Sequence, residues 1–422
     1  MRRYWQPVAL VDELAGDRPV RPVRLLGEDL VLFRDERGQY GLLDRHCPHR
    51  GADLAFGRLE NCGLRCPFHG WLFDVAGSCM ETPAEPEGST FHERIHHRCY
   101  RVTVRSGIVF AYLGQGEPPA FPDFDCFVAP DTHTFAFKGF IDCNWLQSLE
   151  VGLDPTHASF LHRFAEDEDP IESYGKPFRG KSDNSDLPIT KVLRDYPRPK
   201  IETEATEYGL RITSLRRIDD ARVHVRVTNL TFPNSFVIPM DDVMTISQWQ
   251  VPVDDTTNYW YAIFTSFGKP VDKQQMRDHR LKLYELPDYK PRRNRSNNWG
   301  YDPEEQRRHT YTGMGFDINA HDQWAIESQG HIQDRTREHL GQSDKAISHY
   351  RRVLLGALDQ QEKGENTLLR PTPEQAARLT GPIAIDGIST NTEPMAYYQD
   401  ADARRRRGSS WAAGTASGMA AE

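Results

Sequence analysis

Two short stretches pair a thiol with an imidazole: Cys47 and His49 in DRHCPHRGADL, Cys66 and His69 in LRCPFHGWLFD. Four such donors suit two kinds of metal chemistry. One is a structural zinc held by two cysteines and two histidines. The other is a [2Fe–2S] cluster with both thiolates on one iron and both imidazoles on the other. Exchanging two anionic thiolates for neutral imidazoles leaves such a cluster less negative and raises its reduction potential, so it can take electrons from a flavin or ferredoxin and pass them on. Matched pairs fit two turn-like loops converging on one cluster. Pro48, Gly51, Pro67 and Gly70 suit tight loops whose N–H groups approach the sulfurs. His46 falls outside the pattern and reads as a surface side chain, while Cys62, Cys79, Cys99, Cys126 and Cys143 read as packing.

Further on, NWLQSLEVGLDPTHASFLH offers Asp154, His157 and His162. A D-x-x-H-x-x-x-x-H segment can hold a mononuclear iron through two imidazoles. A distant carboxylate would complete a facial triad whose open positions admit dioxygen. Five residues rotate two helical side chains about 140° apart, whereas three or four residues place them on one face. The segment must therefore kink, bulge or end here if both histidines bind one ion. Asp317, Asp322, Glu327 and Asp334 compete for the carboxylate position, and an aspartate at a helix start also serves as a cap.

These groups need a scaffold. A chain of 422 residues exceeds one ordinary core, so two domains are expected. Up to about Gly116 the text reads as short strands and turns: RPVRLLGEDLVLFRDERGQYGLLD patterns as a meander, and RCYRVTVRSGIVFAYLG as a hairpin turning at Ser106-Gly107. The Pro/Gly-rich GQGEPPAFPDFD reads as a linker, giving domains 1–116 and 117–402. The second domain mixes strands, including RVHVRVTNLTF and YWYAIFTSF, with helices at QWAIESQGHIQDRTREHL and DKAISHYRRVLLGALDQQEKG, the last ending at Gly364. The tail 403–422, ARRRRGSSWAAGTASGMAAE, reads as disordered with a solvated run of arginines. A net charge of −9 argues against nucleic-acid binding. No apolar run reaches membrane-spanning length, and MRRYWQPVAL lacks the core of a signal peptide, so a cytoplasmic, membrane-free protein is expected.

C-P-H-R-G followed by C-P-F-H-G-W resembles the Rieske motif, and its order ahead of N-W…D-x2-H-x4-H resembles the oxygenase component of Rieske non-heme iron oxygenases. ALVDEL, RLLGEDLVLFRD, CPHRGADL, GLRCPFHGW and QDRTREHLGQSDKAI extend the likeness to the phthalate dioxygenase branch. The resemblance implies an α+β chain: an all-β Rieske domain, then an antiparallel-sheet-and-helix catalytic domain of the helix-grip kind. It implies Cys47, His49, Cys66 and His69 as cluster ligands, His157, His162 and Asp322 as ligands of one Fe(II), and Asp154 as the electron-transfer bridge between metal sites across a subunit boundary. It also implies O2 as co-substrate, electrons from NAD(P)H through a separate flavin-containing reductase with or without its own ferredoxin domain, and a homotrimer or pair of trimers. The substrates implied are aromatic acids (phthalate-, halobenzoate- or phenoxybenzoate-type), with cis-dihydroxylation or monooxygenation leading to O-demethylation as the outcome. Relatives carry a leading segment ahead of RRYWQPVAL. A buried carboxylate needs a cationic partner, and Arg179, Arg216 and Arg217 are the anchors considered, although SLRRIDDAR also reads as a charged hairpin. The alternative from another class is a Rieske-type electron carrier without turnover. Such a carrier would stop near residue 110.

Overall fold

The computed structural model describes residues 1–165, 182–365, 367–390 and 394–413. Two compact units emerge, Met1–Pro119 with Val251–Asp255, and Ala120–Gln250 with the chain from Thr256 onward.

Alternating apolar residues in the first unit build ten short strands: β1 (Gln6–Leu10), β2 (Val20–Leu25), β3 (Glu28–Arg34), β4 (Tyr40–Asp44), β5 (Arg58–Glu60), β6 (Gly63–Arg65), β7 (Leu72–Phe73), β8 (Cys79–Glu81), β9 (Cys99–Arg105) and β10 (Ile108–Tyr112). Six form a sheet in the order β1-β10-β9-β4-β3-β2, and β5 to β8 form a second, four-stranded sheet in chain order. Ser106 and Gly107 turn the β9–β10 hairpin with φ of +46° and +81°, the left-handed pair that a two-residue hairpin favours. Val31, Phe33, Leu43, Leu54, Leu64 and Phe73 pack one core. Cys47 lies in the loop between β4 and β5, and Cys66 in the loop between β6 and β7, both against this core.

The second unit is an antiparallel sheet dressed with helices. Its strands are β11 (Thr134–Ile141), β12 (Lys200–Thr206), β13 (Gly209–Arg217), β14 (Arg222–Thr231), β15 (Ser235–Pro239), β16 (Met244–Pro252), β17 (Asn258–Ser266), a small pair β18 (Tyr284–Glu285) and β19 (Lys290–Pro291), and β20 (Ile385–Thr390). Eight of them join in the order β11-β17-β16-β15-β14-β13-β12, with β20 beside β14. The helices are α1 (Asp125–Val128), α2 (Trp145–Leu153), α3 (Ile189–Asp195), α4 (Lys273–Leu281), α5 (Pro303–Arg308), α6 (Ile318–Glu327), α7 (Lys345–Glu362), α8 (Pro373–Ala376) and α9 (Pro394–Gly408). α2 packs on β14 and β15, and also on α6 and α7. No helix among the described residues is long and apolar enough to cross a membrane.

Two expectations need correction. The helix expected through QWAIESQGHIQDRTREHL ends at Glu327, because Gly330 adopts φ +97°. Beyond it Asp334 caps only a single 3-10 turn, Arg335–Arg337. The tail from Ala403 is not disordered where it is described. It continues α9, and Arg406 is buried with its guanidinium forked onto Asp125 (2.9 and 2.7 Å) and its Nε on Asp402 at 2.7 Å. Trp411 stacks on Phe267 and donates to the Ser266 carbonyl. One helical turn separates Asp402 from Arg406, which places the pair on one face of the helix.

Candidate metal centres and cavity

Each Cys/His loop closes on itself in the same way. Gly51 N–H donates to the Cys47 carbonyl and Cys47 N–H to that of Ala52 (both 2.8 Å); Gly70 N–H donates to Cys66 (2.9 Å) and Cys66 N–H to Trp71 (2.8 Å). Gly70 holds φ +77°, and a Cβ there would meet Pro83 Cγ at 2.8 Å. Arg65 pins this loop by donating to the Gly70 carbonyl and the Glu81 carboxylate, each at 2.6 Å. The result puts both thiols inside, each 2 % exposed, and brings the His49 and His69 rings edge to face at 4.4 Å. Trp71 stacks flat on His49 at 4.5 Å. Burial pushes the Cys47 thiol up to about 12 against the pull of the His49 backbone N–H, and nearby Cys66 adds to the rise. A thiol so raised stays protonated at neutral pH in the absence of a metal. Two buried thiols opposite two adjacent imidazoles fit the donor set of a Rieske cluster.

The second site forms where the helical run breaks. α2 ends at Leu153, Asp154 turns extended with φ −88° and ψ 110°, and a short 3-10 turn covers His157–Ser159. This break resolves the five-residue spacing: the His157 and His162 rings meet edge to face at 5.1 Å. Asp322, on α6, completes a group whose ligand atoms all lie within 4.8 Å of one another. His157 Nδ1–H donates to the Asp154 carbonyl at 2.6 Å, which leaves Nε2 as a bare lone pair. That Nε2 is 3.7 Å from Asp322 Oδ1, and His162 Nε2 is 3.2 Å from the same oxygen. Asp322 Oδ1 is buried without a hydrogen-bond partner. Burial pushes Asp322 up to about 6 and His162 down to about 3, so at neutral pH His162 is an uncharged imidazole and Asp322 remains largely a carboxylate. Three ligand atoms this close together fit a divalent metal held by two imidazoles and a carboxylate.

The competing carboxylates have other work. Asp317 caps α6 through Asn319 N–H, and Asp334 caps its 3-10 turn through Thr336 N–H. Glu327 accepts from Trp299 Nε1 (2.7 Å), Asp142 N–H and Gln323 Nε2 (both 2.9 Å). Asp154 lies beside the site, and its Oδ1 accepts from both N–H and Oγ1–H of Thr156, at 2.7 and 2.6 Å. It is its main-chain carbonyl, not its carboxylate, that holds His157; Oδ2 stays 3.9 Å from Nδ1.

A cavity opens onto His157, His162 and Asp322. Ile238, Ile246, Phe236, Trp260, Leu193 and Ile326 form much of its wall, with Gln248, Gln250 and Asn319 among its polar points. Arg226 is the one lysine or arginine among its described lining residues. It also donates to Asp386 (2.7 Å) and to the Pro239 carbonyl (3.0 Å). Asp386, fully buried, accepts from His224 and Ser182 as well. The charges around it hold its carboxyl far below the usual range despite burial.

The arginines expected as anchors stand elsewhere. Arg217 is a correction: it is exposed in the β13–β14 turn, paired with Asp220. Arg216, its neighbour, faces the other way, is fully buried and donates to the Pro155 carbonyl at 2.6 Å. It supports the Asp154-Pro155 corner and does not line the cavity. Arg179 lies outside the described residues. Arg226 was missed because its position depends on strand alternation in β14; HVRVT carries that period, which is weak by itself.

Comparison with known proteins agrees with this architecture. Residues 4–101 match the Rieske [2Fe-2S] domain family, and residues 111–381 match the LigXa C-terminal domain like family. The chain is 37% identical over 388 residues to the phthalate 4,5-dioxygenase oxygenase subunit of Pseudomonas putida, covering 87% of this chain and 84% of that one. It is 34% identical over 376 residues to the tert-butanol monooxygenase / tert-amyl alcohol desaturase oxygenase subunit of Aquincola tertiaricarbonis (85% and 73%). With the 5,5'-dehydrodivanillate O-demethylase oxygenase subunit of Sphingobium sp. it shares 31% over 374 residues (87% and 77%). The solved structure of dicamba monooxygenase bound to dicamba superposes with a TM-score of 0.57 at 20% identity, covering 86% of this chain and 99% of that one, which shows a common fold. A second domain of this size sets aside the electron carrier, and the Rieske match sets aside zinc. The chain belongs to the Rieske non-heme iron oxygenases, as an oxygenase component of the phthalate dioxygenase-like branch.

Proposed function

We propose that this oxygenase hydroxylates an aromatic carboxylic acid, with Arg226 as the carboxylate anchor. The observation that carries the reading is a single lysine or arginine among the described residues lining a largely apolar cavity that also exposes His157, His162 and Asp322. Branched and aromatic side chains suit a ring, and a guanidinium suits a carboxylate, even one already shared with Asp386. When bound, the Rieske cluster supplies electrons one at a time and the mononuclear iron binds and activates dioxygen. The chain's own task is to hold the ring beside the three ligands and to exclude water.

Asp154 is the proposed bridge. Its Oδ1 is fixed by Thr156 and its carbonyl by His157, so Oδ2 remains able to accept from a Rieske histidine of an adjacent subunit in a homotrimer or pair of trimers. Electrons would come from NAD(P)H through a separate flavin-containing reductase in the cytoplasm. One protein of the same fold, the oxygenase of carbazole 1,9a-dioxygenase, has been solved in complex with a ferredoxin.

The similarity to an alcohol-oxidising relative makes a neutral substrate the reading to test against. Reduced protein is given labelled dioxygen and either a panel of aryl acids or tert-butanol in a single turnover. Label in an aryl acid product is expected, with the acid concentration for half-maximal labelling raised at least tenfold by Arg226→Met. Two labelled atoms would mark a cis-diol, and one atom with released formaldehyde would mark O-demethylation. Label only in the alcohol would overturn the acid reading.

A further inference from the structure

His321 neighbours the ligand Asp322 on α6, is 0 % exposed, and has no part in the reading above. Its Nε2 lies 2.8 Å from the Gly315 carbonyl. A carbonyl only accepts, so Nε2 carries the ring proton and Nδ1 is a lone pair. That lone pair faces His162 Nδ1 at 3.4 Å, with the two rings stacked at 5.6 Å and 28°. His162 must then donate from Nδ1, and its Nε2 is left bare toward Asp322. The order continues outward. Gly315 N–H donates to Glu305 Oε1 at 2.7 Å, an oxygen that also accepts from Thr310 Oγ1. Gly315 adopts φ +84°, a left-handed conformation that favours glycine over any residue with a Cβ.

We infer that His321 is a positioning residue for the mononuclear metal: with the Gly315 peptide and Glu305 it fixes the tautomer and ring plane of His162. This rests on the metal reading of His157, His162 and Asp322. A ligand histidine commonly gives its second N–H straight to a carboxylate or carbonyl. Here a neutral imidazole takes that proton, and the carboxylate stands one ring and one peptide further out. Each link polarises the next. His162 is thereby oriented without the full electron push of an adjacent carboxylate.

The test uses the full-length protein with its Rieske cluster in place and Co(II) substituted at the mononuclear site. His321→Leu removes the acceptor. His321→Gln keeps both functions, an amide oxygen for His162 and an amide N–H for Gly315. Loss of an outer hydrogen-bond partner typically weakens metal binding about 10–100-fold. That loss is expected for His321→Leu, with His321→Gln within about threefold of wild type. Proton NMR of the Co(II) protein should show a hyperfine-shifted, slowly exchanging ring N–H that disappears in His162→Ala and exchanges rapidly in His321→Leu. Equal Co(II) affinity and an unchanged N–H in His321→Leu would overturn the role of His321. Should that variant not fold, the wild-type spectrum decides: a shifted N–H lost by fast exchange overturns it. A wild-type protein that takes up no Co(II), or a His162→Ala variant that binds it equally well, would instead remove the metal reading beneath it.

Discussion

Replacing Arg406 with methionine removes one of the few fully sequestered cations and leaves Asp125 without its forked partner, while Asp402 keeps Arg405 at 2.5 Å. Breaking such a buried pair costs about 3–5 kcal/mol, since the remaining charge is uncompensated. For a unit of this size about 2 °C is lost per kcal/mol, so a drop of roughly 6–10 °C is expected. Burial already raises the Asp125 carboxyl above the ordinary range, with Arg406 opposing the rise. Without Arg406 it rises further. An acid whose folded value is raised binds more protons in the native state, so its destabilising effect is greatest at high pH and fades as pH falls through the folded value. The gap between variant and wild type should narrow between pH 7.5 and 5, by at most about 1.4 kcal/mol per pH unit. Calorimetry of both proteins, with exposed Arg407→Met as control, reads this directly. A variant that melts with wild type at pH 7.5, or a gap that widens on acidification, would refute the account of the tail.

Asp322→Ala should leave the Rieske absorption intact while mononuclear iron falls from one equivalent toward none; a full equivalent by metal analysis would exclude Asp322 as a ligand. Thr156→Val deletes the 2.6 Å hydroxyl bond to Asp154, a loss of about 1.5 kcal/mol. It should slow cluster reoxidation in a single turnover by up to about tenfold, with metal content unchanged, and an unaltered rate would show that Asp154 needs no such support. Tyr350→Phe removes a fully buried hydroxyl that donates to the Pro233 carbonyl at 2.9 Å. Denaturant unfolding should show about 1–2 kcal/mol lost without any change in metal content.

The local motifs were legible because their spacing is itself the chemistry. Cys47/His49 and Cys66/His69 sit on self-closing loops that need nothing from afar, and the five-residue gap between His157 and His162 demanded the break that the backbone makes. What depended on strand register was hidden. Arg216 and Arg217 are adjacent in sequence, but pleating sends one inside and the other to solvent. Arg226 and Asp386 are directly opposed only because β14 pairs with β20. His321 gains meaning only from Gly315 and His162, which lie six and 159 residues away. The arginine run misled for a related reason: composition argued for solvent, while the Asp402 spacing one turn earlier argued for a helix with a buried face.

The cavity divides its wall between two kinds of element. His157, His162 and Asp322 come from α6 or the broken segment after α2, whereas Arg226 and Thr228, Phe236 and Ile238, and Ile246, Gln248 and Gln250 come from β14, β15 and β16 at every second residue. Strand positions two apart share a face, and their side chains can be exchanged without moving the backbone that carries them. Mutation at these few sites can therefore reshape what is recognised while the oxidising machinery stays untouched. A lineage with this layout can explore new compounds cheaply, and a combinatorial library confined to Thr228, Phe236, Ile238, Ile246 and Gln248 would retrace that exploration in the laboratory.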